Sequence, residues 1–486
     1  MGGQTGGARN SFSDIMIPYE GLINENYFKL ISRETELINN LEYFIGRSIN
    51  PYNKKYENFI GLLLKSKYDG VKQEDQTNIK IGPMDYAIAL DISGSMMSAL
   101  EVNDKNGIPR IELAKKALLT MIDNLKDGNQ MSITTFNHES QLIIPLSPKS
   151  EILMLKEKIK NINPDGGTNL TNALKGAYET LKKSKKKFKR VIIITDGWVN
   201  EPDFMNTAIN VTNNGVGISV IAIDKSSNSK LFEQFSKLGG CNYFIATKDE
   251  DLEKYLIHQF TYLTFIASYN IKLNFESDDC EIIKAIGTNS DDNKNINNLC
   301  NIPSCFPSDL KFIGDEVYQE GGLILLKIKL KNENIGNKIK INLKLEYTDN
   351  DDKNYIQNYP IEYEINEGEY YSNNYLKKGI ALYYYGKIRR KIAKFFNSDT
   401  KFTTAGPVLE SVDKTKYDRY FNFLRRDNEN IDKVKKYFNQ NYFNDIVENQ
   451  KENYIKILDE KYELFLKKRK EIEDKVVEKP KVENQN

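Results

Sequence analysis

A regular alternation of short apolar runs and helical repeats over residues 84–266 is the feature that most constrains the fold of this chain. Residues 86–90 (YAIAL) and 191–194 (VIII) are continuous apolar runs of the kind found in strands buried on both faces. Between such runs, apolar residues recur at helical spacing, for example from Leu170 to Leu181. Strands that alternate with helices form a mostly parallel sheet covered by helices on both faces. The sequence therefore predicts an open, doubly wound α/β domain over residues 84–266.

The pattern changes after Ser268, where apolar and polar residues alternate instead. A period of two with polar turns is typical of half-buried strands in antiparallel sheets. We therefore predict a small β-sandwich over residues 267–368, joined by a strand at residues 59–66 from the N-terminal segment 17–83. The alternating stretches are residues 269–275, 323–330 and 339–347. Residues 287–301, which are rich in Asn and Asp, are expected to form a long loop.

The C-terminal part of the chain is predicted to be helical. We expect a helix over residues 376–396 within a helical segment 369–426, and charged amphipathic helices over 427–479. An apolar stripe at spacings of three and four in the last of these indicates a coiled-coil type of surface for a partner helix or a second copy of the chain. The stripe consists of Ile455, Leu458, Tyr462, Phe465, Ile472 and Val476. Residues 1–16 are predicted to be a flexible leader and residues 480–486 a disordered tail.

The composition excludes several classes of protein. Lys and Arg number 69 against 68 Asp and Glu, a net charge of +1, so no global field draws the chain onto nucleic acid or anionic lipid. Four cysteines in 486 residues do not make a disulfide scaffold, and two histidines, His138 and His258, do not make a His-rich metal cluster. No apolar run reaches the roughly 18 residues that a membrane span needs. We therefore expect a cytoplasmic protein without a transmembrane segment and without a nucleic-acid partner.

Oxygen-bearing side chains follow several predicted strands of the α/β domain. Asp91, Ser93 and Ser95 come directly after its first strand, and Asp196 follows its most apolar strand. Thr168 lies in a glycine-rich loop just before a helix. Because loops at the carboxyl ends of parallel strands converge on one crevice, we expect these five side chains to lie together. Hydroxyl and carboxylate oxygens suit Mg²⁺ or Mn²⁺ better than Zn²⁺.

The order and placement of these residues resemble the metal-ion-dependent adhesion site of von Willebrand factor A domains, with its Asp-x-Ser-x-Ser motif. The resemblance covers the predicted α/β domain. It implies that Ser93 and Ser95 bind the cation directly and that Thr168 joins them when a ligand is bound. Asp91 and Asp196 would act mostly through waters, leaving an open position for an Asp or Glu carboxylate of a protein partner. The order of domains is also similar, more loosely, to inter-α-trypsin inhibitor heavy chains and bacterial proteins with this domain.

Other interpretations of the same residues stay open. Asp, Ser and Thr favour helix caps and turns, so the five side chains would then serve local structure alone. An Asp after a first parallel strand also resembles the nucleophile of haloacid-dehalogenase phosphatases, but those need a second Asp where this chain has Ser93. The basic run at residues 182–190 is expected to be a solvated helix end on the opposite edge of the sheet. Cys300 and Cys305 are expected to be free thiols or one adventitious disulfide, since zinc wants four convergent ligands.

The sequence as a whole favours a binding module and not an enzyme. We predict that a protein partner presents Asp or Glu to a Mg²⁺ or Mn²⁺ held by Asp91, Ser93, Ser95, Thr168 and Asp196. One alternative is a structural or assembly subunit in which the metal stabilises the fold, so that EDTA lowers only the melting temperature. Another is an accessory subunit of an ATPase complex, since the chain has no Gly-x4-Gly-Lys-[Ser/Thr] loop of its own.

Overall fold

The computed structural model describes residues 23, 26–31, 35–70, 83–99, 107–197, 202–223, 235, 238–246, 249–258, 260, 264–288, 298–398, 402–403, 406–407, 414–438 and 467. In chain order, the strands of these residues are β1 (Tyr27–Lys29), β2 (Asn40–Ile49), β3 (Tyr56–Lys65), β4 (Met84–Asp91), β5 (Gln130–Phe136), β6 (Ser140–Pro148), β7 (Phe188–Thr195), β8 (Gly217–Ile223), β9 (Cys241–Ala246), β10 (Ser268–Glu276), β11 (Cys280–Ile286), β12 (Asn298–Cys305), β13 (Leu310–Ile313), β14 (Glu316–Glu320), β15 (Leu323–Leu330), β16 (Lys338–Thr348), β17 (Asn354–Glu364), β18 (Tyr370–Tyr371), β19 (Phe402–Thr403) and β20 (Gly406–Pro407). The α-helices are α1 (Arg110–Asp123), α2 (Lys149–Met154), α3 (Lys156–Lys160), α4 (Leu170–Leu181), α5 (Pro202–Asn213), α6 (Asp249–Glu253), α7 (Asn374–Ser398) and α8 (Lys414–Phe438).

A six-stranded sheet in the order β6-β5-β4-β7-β8-β9 confirms the predicted α/β fold. All neighbours pair in parallel except β6, which is an antiparallel edge strand formed by a hairpin with β5. The side chains of β7 alternate between two cores, because successive residues of a strand point to opposite faces. Ile192 and Ile194 pack beneath α1, whereas Val191 and Ile193 pack against α4 and α5. The sheet is therefore covered by helices on both faces, with its carboxyl edge open to loops.

Two antiparallel sheets pack face to face beyond the α/β domain. One has the order β12-β10-β16-β17 and the other β11-β15-β3-β2-β18, and their inner faces share one core. Strand β3 lies at the middle of the second sheet, so the predicted strand at residues 59–66 is confirmed. The expected loop at residues 287–301 is wrong at its end, where Asn298–Cys305 forms a strand. Main-chain pairing with β10 and burial of Leu299 and Cys300 outweigh the turn-forming composition of this stretch.

The helix predicted at residues 376–396 is present as α7, which lies on the outer face of the five-stranded sheet. Its Leu376, Ile380 and Tyr384 share a core with α8 and with strands β2 and β3. None of the described helices is both long and apolar enough to cross a membrane. The apolar stripe at residues 455–476, the leader 1–16 and the tail 480–486 lie outside the described residues.

The basic run at residues 182–190 lies at the amino edge of the sheet, opposite the carboxyl ends, but it is not simply a solvated helix end. The helix α4 has already ended at Leu181, and the run passes into β7. Lys186 Nζ is 2.5 Å from Asp85 Oδ1, and Arg190 is buried. The prediction was wrong for these two residues, because Lys186 pairs with the buried Asp85 and strand pairing carries Arg190 inside, where it donates to Ser219 Oγ.

Candidate metal centre

The first part of the site is the turn that follows β4. Asp91, the last residue of that strand, is fully buried, and its Oδ1 accepts a hydrogen bond from the Ser93 amide at 2.7 Å. A carboxylate that accepts from an amide two residues later is a common local device for turning the chain out of a strand. Asp91 Oδ2 accepts a hydrogen bond from Thr195 Oγ1 at 2.5 Å. The ends of β4 and β7 are thereby tied together through side chains.

A chain of hydroxyl groups connects this turn to Asp196. The Oγ atoms of Ser93 and Ser95 are 3.0 Å apart, and Ser95 Oγ donates to Asp196 Oδ1 at 2.8 Å. Ser95 belongs to the 3₁₀ turn Gly94–Met97, whose short rise keeps it close to the end of β4. Four of the five predicted residues are therefore joined by hydrogen bonds, although Ser95 and Asp196 are 101 positions apart in sequence.

Thr168 completes the group from a third loop. The Gly94 amide donates to the Gly166 carbonyl oxygen at 3.0 Å, which holds this loop against the turn after β4. Thr168 lies against Gly197, since a Cβ placed on that glycine would be 2.4 Å from Thr168 Cγ2. The Gly167 amide donates to His138 Nε2 at 3.1 Å, so this histidine holds the loop. The structure thus brings all five predicted side chains to one crevice.

Arg110 belongs to the site and escaped the sequence analysis. Its Nη1 donates to Asp196 Oδ2 at 2.8 Å, and the two side chains are 7% and 0% exposed. Arg110 is the first residue of α1, directly before the apolar residues that fix the buried face of that helix. A local signal was available, because a cation in the first turn of a helix is unfavourable for the helix dipole and calls for a partner.

The electrostatics of the crevice depend on burial. Burial, with a smaller contribution from the nearby Asp196 carboxylate, raises the pKa of Asp91 to about 6. Hydrogen bonds from Thr195 and Ser93 act in the opposite direction, because they stabilise the ionised carboxylate. Asp91 is therefore largely ionised at neutral pH, and its charge is held by hydroxyl and amide donors.

The donor set fits a hard divalent cation. It offers hydroxyl oxygens from two serines and one threonine together with two carboxylates, and these are the ligand types of Mg²⁺ and Mn²⁺. Within the described ranges, no three His, Cys, Asp or Glu side chains gather in the manner of a zinc site. The four cysteines, Cys241, Cys280, Cys300 and Cys305, are free thiols.

Comparison with known proteins defines the class of the α/β domain. Residues 85–258 match the family model of the von Willebrand factor type A domain, so the chain contains a domain of this family. The family is known for protein–protein interaction, often dependent on a metal. The predicted resemblance is thus confirmed at the level of the domain.

Particular relatives match the chain over different shares of its length. An uncharacterized protein from Synechocystis sp. is 28% identical over 116 residues, which make up 24% of this chain and 25% of that protein. Mouse inter-alpha-trypsin inhibitor heavy chain H2 is 27% identical over 125 residues, 24% of this chain and 12% of that protein. A solved structure, von Willebrand factor type A from Catenulispora acidiphila, aligns over 75% of this chain and 82% of its own with 12% identity and a TM-score of 0.45. The chain spans about a quarter of the first relative and about an eighth of the second.

Proposed function

We propose that the chain is a divalent-cation-dependent protein-interaction module that binds an Asp or Glu side chain of a partner, and that it is not an enzyme. The observation that carries this proposal is the hydroxyl chain from Ser93 through Ser95 to Asp196 at the carboxyl edge of the sheet. Side chains from two loops supply oxygen ligands there, and Thr168 lies beside them from a third loop. A cytoplasmic location and a contact surface at residues 455–476 belong to the same proposal.

The proposal assigns a role to each residue. Ser93, Ser95 and Thr168 would hold Mg²⁺ or Mn²⁺ through their hydroxyl oxygens, and Asp91 and Asp196 would hold its waters. A cation bound mainly by neutral hydroxyls supplies excess positive charge, which suits a carboxylate from outside. Thr195 keeps Asp91 in place, because its hydroxyl donates to that carboxylate and accepts from the Gly197 amide at 2.9 Å.

The proposal is tested by titrating Mn²⁺ and Mg²⁺ into the full chain by calorimetry, with and without acetate as a model carboxylate. We expect saturable binding to the wild type that is lost in the Ser93→Ala/Ser95→Ala double variant. Ser98→Ala is the matched control, because Ser98 is an exposed serine at the end of the same 3₁₀ turn. Equal binding to the wild type and the double variant would rule out this donor set. Absence of binding to the wild type even with acetate would contradict the proposal as well.

The structural alternative makes a different prediction. If the cation only stabilises the fold, EDTA lowers the melting temperature of the chain but leaves its binding to a partner intact. In the proposed function, binding of a carboxylate-bearing partner is abolished by EDTA and restored by Mn²⁺. Comparing the two readouts on one preparation separates the two functions.

A further inference from the structure

We propose that Arg110 is a built-in cation that shares Asp196 with the metal, so that it weakens metal binding by the chain alone and couples the metal to a partner carboxylate. This inference rests on the proposed function and concerns the regulation of the same site. Its evidence is the contact between Arg110 and Asp196, which no part of the adhesion-site motif contains.

Arg110 binds the carboxylate oxygen of Asp196 that the hydroxyl chain does not use. Ser95 Oγ donates to Asp196 Oδ1 at 2.8 Å, and Arg110 Nη1 donates to Asp196 Oδ2, also at 2.8 Å. The carboxylate therefore lies between the hydroxyl donors on one side and a guanidinium on the other. Because both side chains of the ion pair are buried, solvent screens their attraction weakly.

The backbone holds Arg110 firmly in this position. The Arg110 amide donates to the Ser98 carbonyl oxygen at 3.0 Å, and Ala99 and Pro109 form an isolated antiparallel bridge. Ser98 and Ala99, which follow Ser95, are thus held against Pro109 and Arg110, where α1 begins. The guanidinium is fixed to the same turn as the hydroxyl donors, so the distance between them is set by local structure.

The charges of these side chains explain the effect on the metal. The carboxylates of Asp91 and Asp196 and the guanidinium of Arg110 together carry one negative charge. A divalent cation beside them leaves one positive charge, which attracts an incoming carboxylate. Without Arg110, the two carboxylates alone would balance the cation, so it would bind more tightly and attract a partner less.

The coupling has a direction that can be measured. If Arg110 leaves the metal-bound site with a net positive charge, a bound carboxylate raises the affinity for the metal. By linkage, the metal raises the affinity for the carboxylate by the same factor. Removing the guanidinium charge should reduce that factor. It should also leave the buried Asp196 unpaired, which destabilises the chain until a metal binds.

The test uses Arg110→Gln in the full chain, with Lys116→Gln as the matched control. Lys116 lies on the same helix and is 75% exposed, so its loss removes the same charge from a side chain in solvent. We expect Arg110→Gln to bind Mn²⁺ alone about tenfold more tightly than the wild type, equivalent to about 1.4 kcal/mol, and to gain less affinity from acetate. Its melting temperature should fall in EDTA and recover with Mn²⁺ by a larger shift than in the wild type.

The outcomes separate this inference from the proposed function. Equal or weaker Mn²⁺ binding by folded Arg110→Gln, with normal binding by the wild type, overturns the role of Arg110 and leaves the metal site standing. No Mn²⁺ binding by either protein overturns both. Arg110→Gln/Asp196→Asn serves as a second variant, because it removes both charges of this buried ion pair together. It should lose the tenfold gain, and if it keeps that gain, Asp196 is not the group that Arg110 controls.

Discussion

Each edge of the six-stranded sheet buries one arginine side chain, and the two arginines have different partners. At the amino edge, Arg190 Nη1 donates to Ser219 Oγ at 2.9 Å and to the Gly240 carbonyl oxygen at 3.1 Å. Its guanidinium carbon lies 5.2 Å from the centre of the Phe306 ring, beyond the α/β domain. At the carboxyl edge, Arg110 instead meets the carboxylate of Asp196.

The difference shows that one sheet can hold two kinds of buried arginine. The contacts of Arg190 are part of the framework, whereas the carboxylate bound by Arg110 can also bind another cation. The partners of Arg190 are neutral and belong to the framework, since Gly240, whose carbonyl oxygen accepts from Arg190, also donates its amide to Ser304 Oγ of β12. Burial lowers the pKa of Arg190 to about 10, so it stays charged at neutral pH. Arg110 faces a carboxylate whose other oxygen already binds a hydroxyl, and such an oxygen set can accept another cation.

The largest expected effect is at the amino edge. Replacing Arg190 by alanine should lower the free energy of unfolding by about 3 kcal/mol, because a buried side chain and its charge-assisted hydrogen bonds are lost. Urea unfolding in EDTA and in Mn²⁺ should give the same loss. Ser219→Ala, which removes only one partner, should cost about 1 kcal/mol. A loss at Arg190 that Mn²⁺ repairs would break the distinction between the two edges.

A smaller loss of stability is expected from Thr195→Val at the carboxyl edge. The isosteric change leaves Asp91 Oδ2 without its donor and the Gly197 amide without its acceptor, which should cost about 2 kcal/mol of unfolding free energy. Mn²⁺ affinity should fall with it, as measured by calorimetry. Thr195→Ser keeps the hydroxyl and is the control. If the valine variant is as stable as the serine variant, the tie between β4 and β7 has no energetic role.

The smallest effect on stability, and the most selective for the site, is expected from Gly197→Ala. The added Cβ would lie 2.4 Å from Thr168 Cγ2 and 3.0 Å from Thr195 Oγ1, so Thr168 must move most. We expect at least a tenfold loss of Mn²⁺ affinity, about 1.4 kcal/mol, with the fold retained by circular dichroism. Gly94→Ala is the matched control, because its new Cβ would meet only the Gly166 carbonyl oxygen at 3.6 Å. Unchanged affinity in the Gly197 variant would remove Thr168 from the site.

The sequence was sufficient to predict which strands form the carboxyl edge of the sheet and which residues follow them. A continuous apolar run that stops at an Asp fixes both the strand and its end, so Asp91 and Asp196 were assigned to one crevice without any contact information. The parallel topology then brought Thr168 to the same place. These predictions worked because each depends on local periodicity and on one rule about where loops of such sheets meet.

The sequence was not sufficient to identify the two buried arginines. The partner of Arg110 is 86 positions away, and helical periodicity shows which apolar residues face the core but not where a long polar side chain points. Arg190 was hidden in a basic run whose other members are largely exposed. Strand β12 was missed for a related reason, because its pairing with β10 depends on main-chain groups that every residue has.

The central claim is that the hydroxyl groups at the carboxyl edge hold a divalent cation, and crystals of the full chain soaked with Mn²⁺ test it most directly. An anomalous difference map recorded above the manganese edge should show one peak in contact with the hydroxyl oxygens of Ser93 and Ser95, and none in the same soak of the Ser93→Ala/Ser95→Ala variant. No peak at this crevice, or an equal peak in the double variant, would contradict the account.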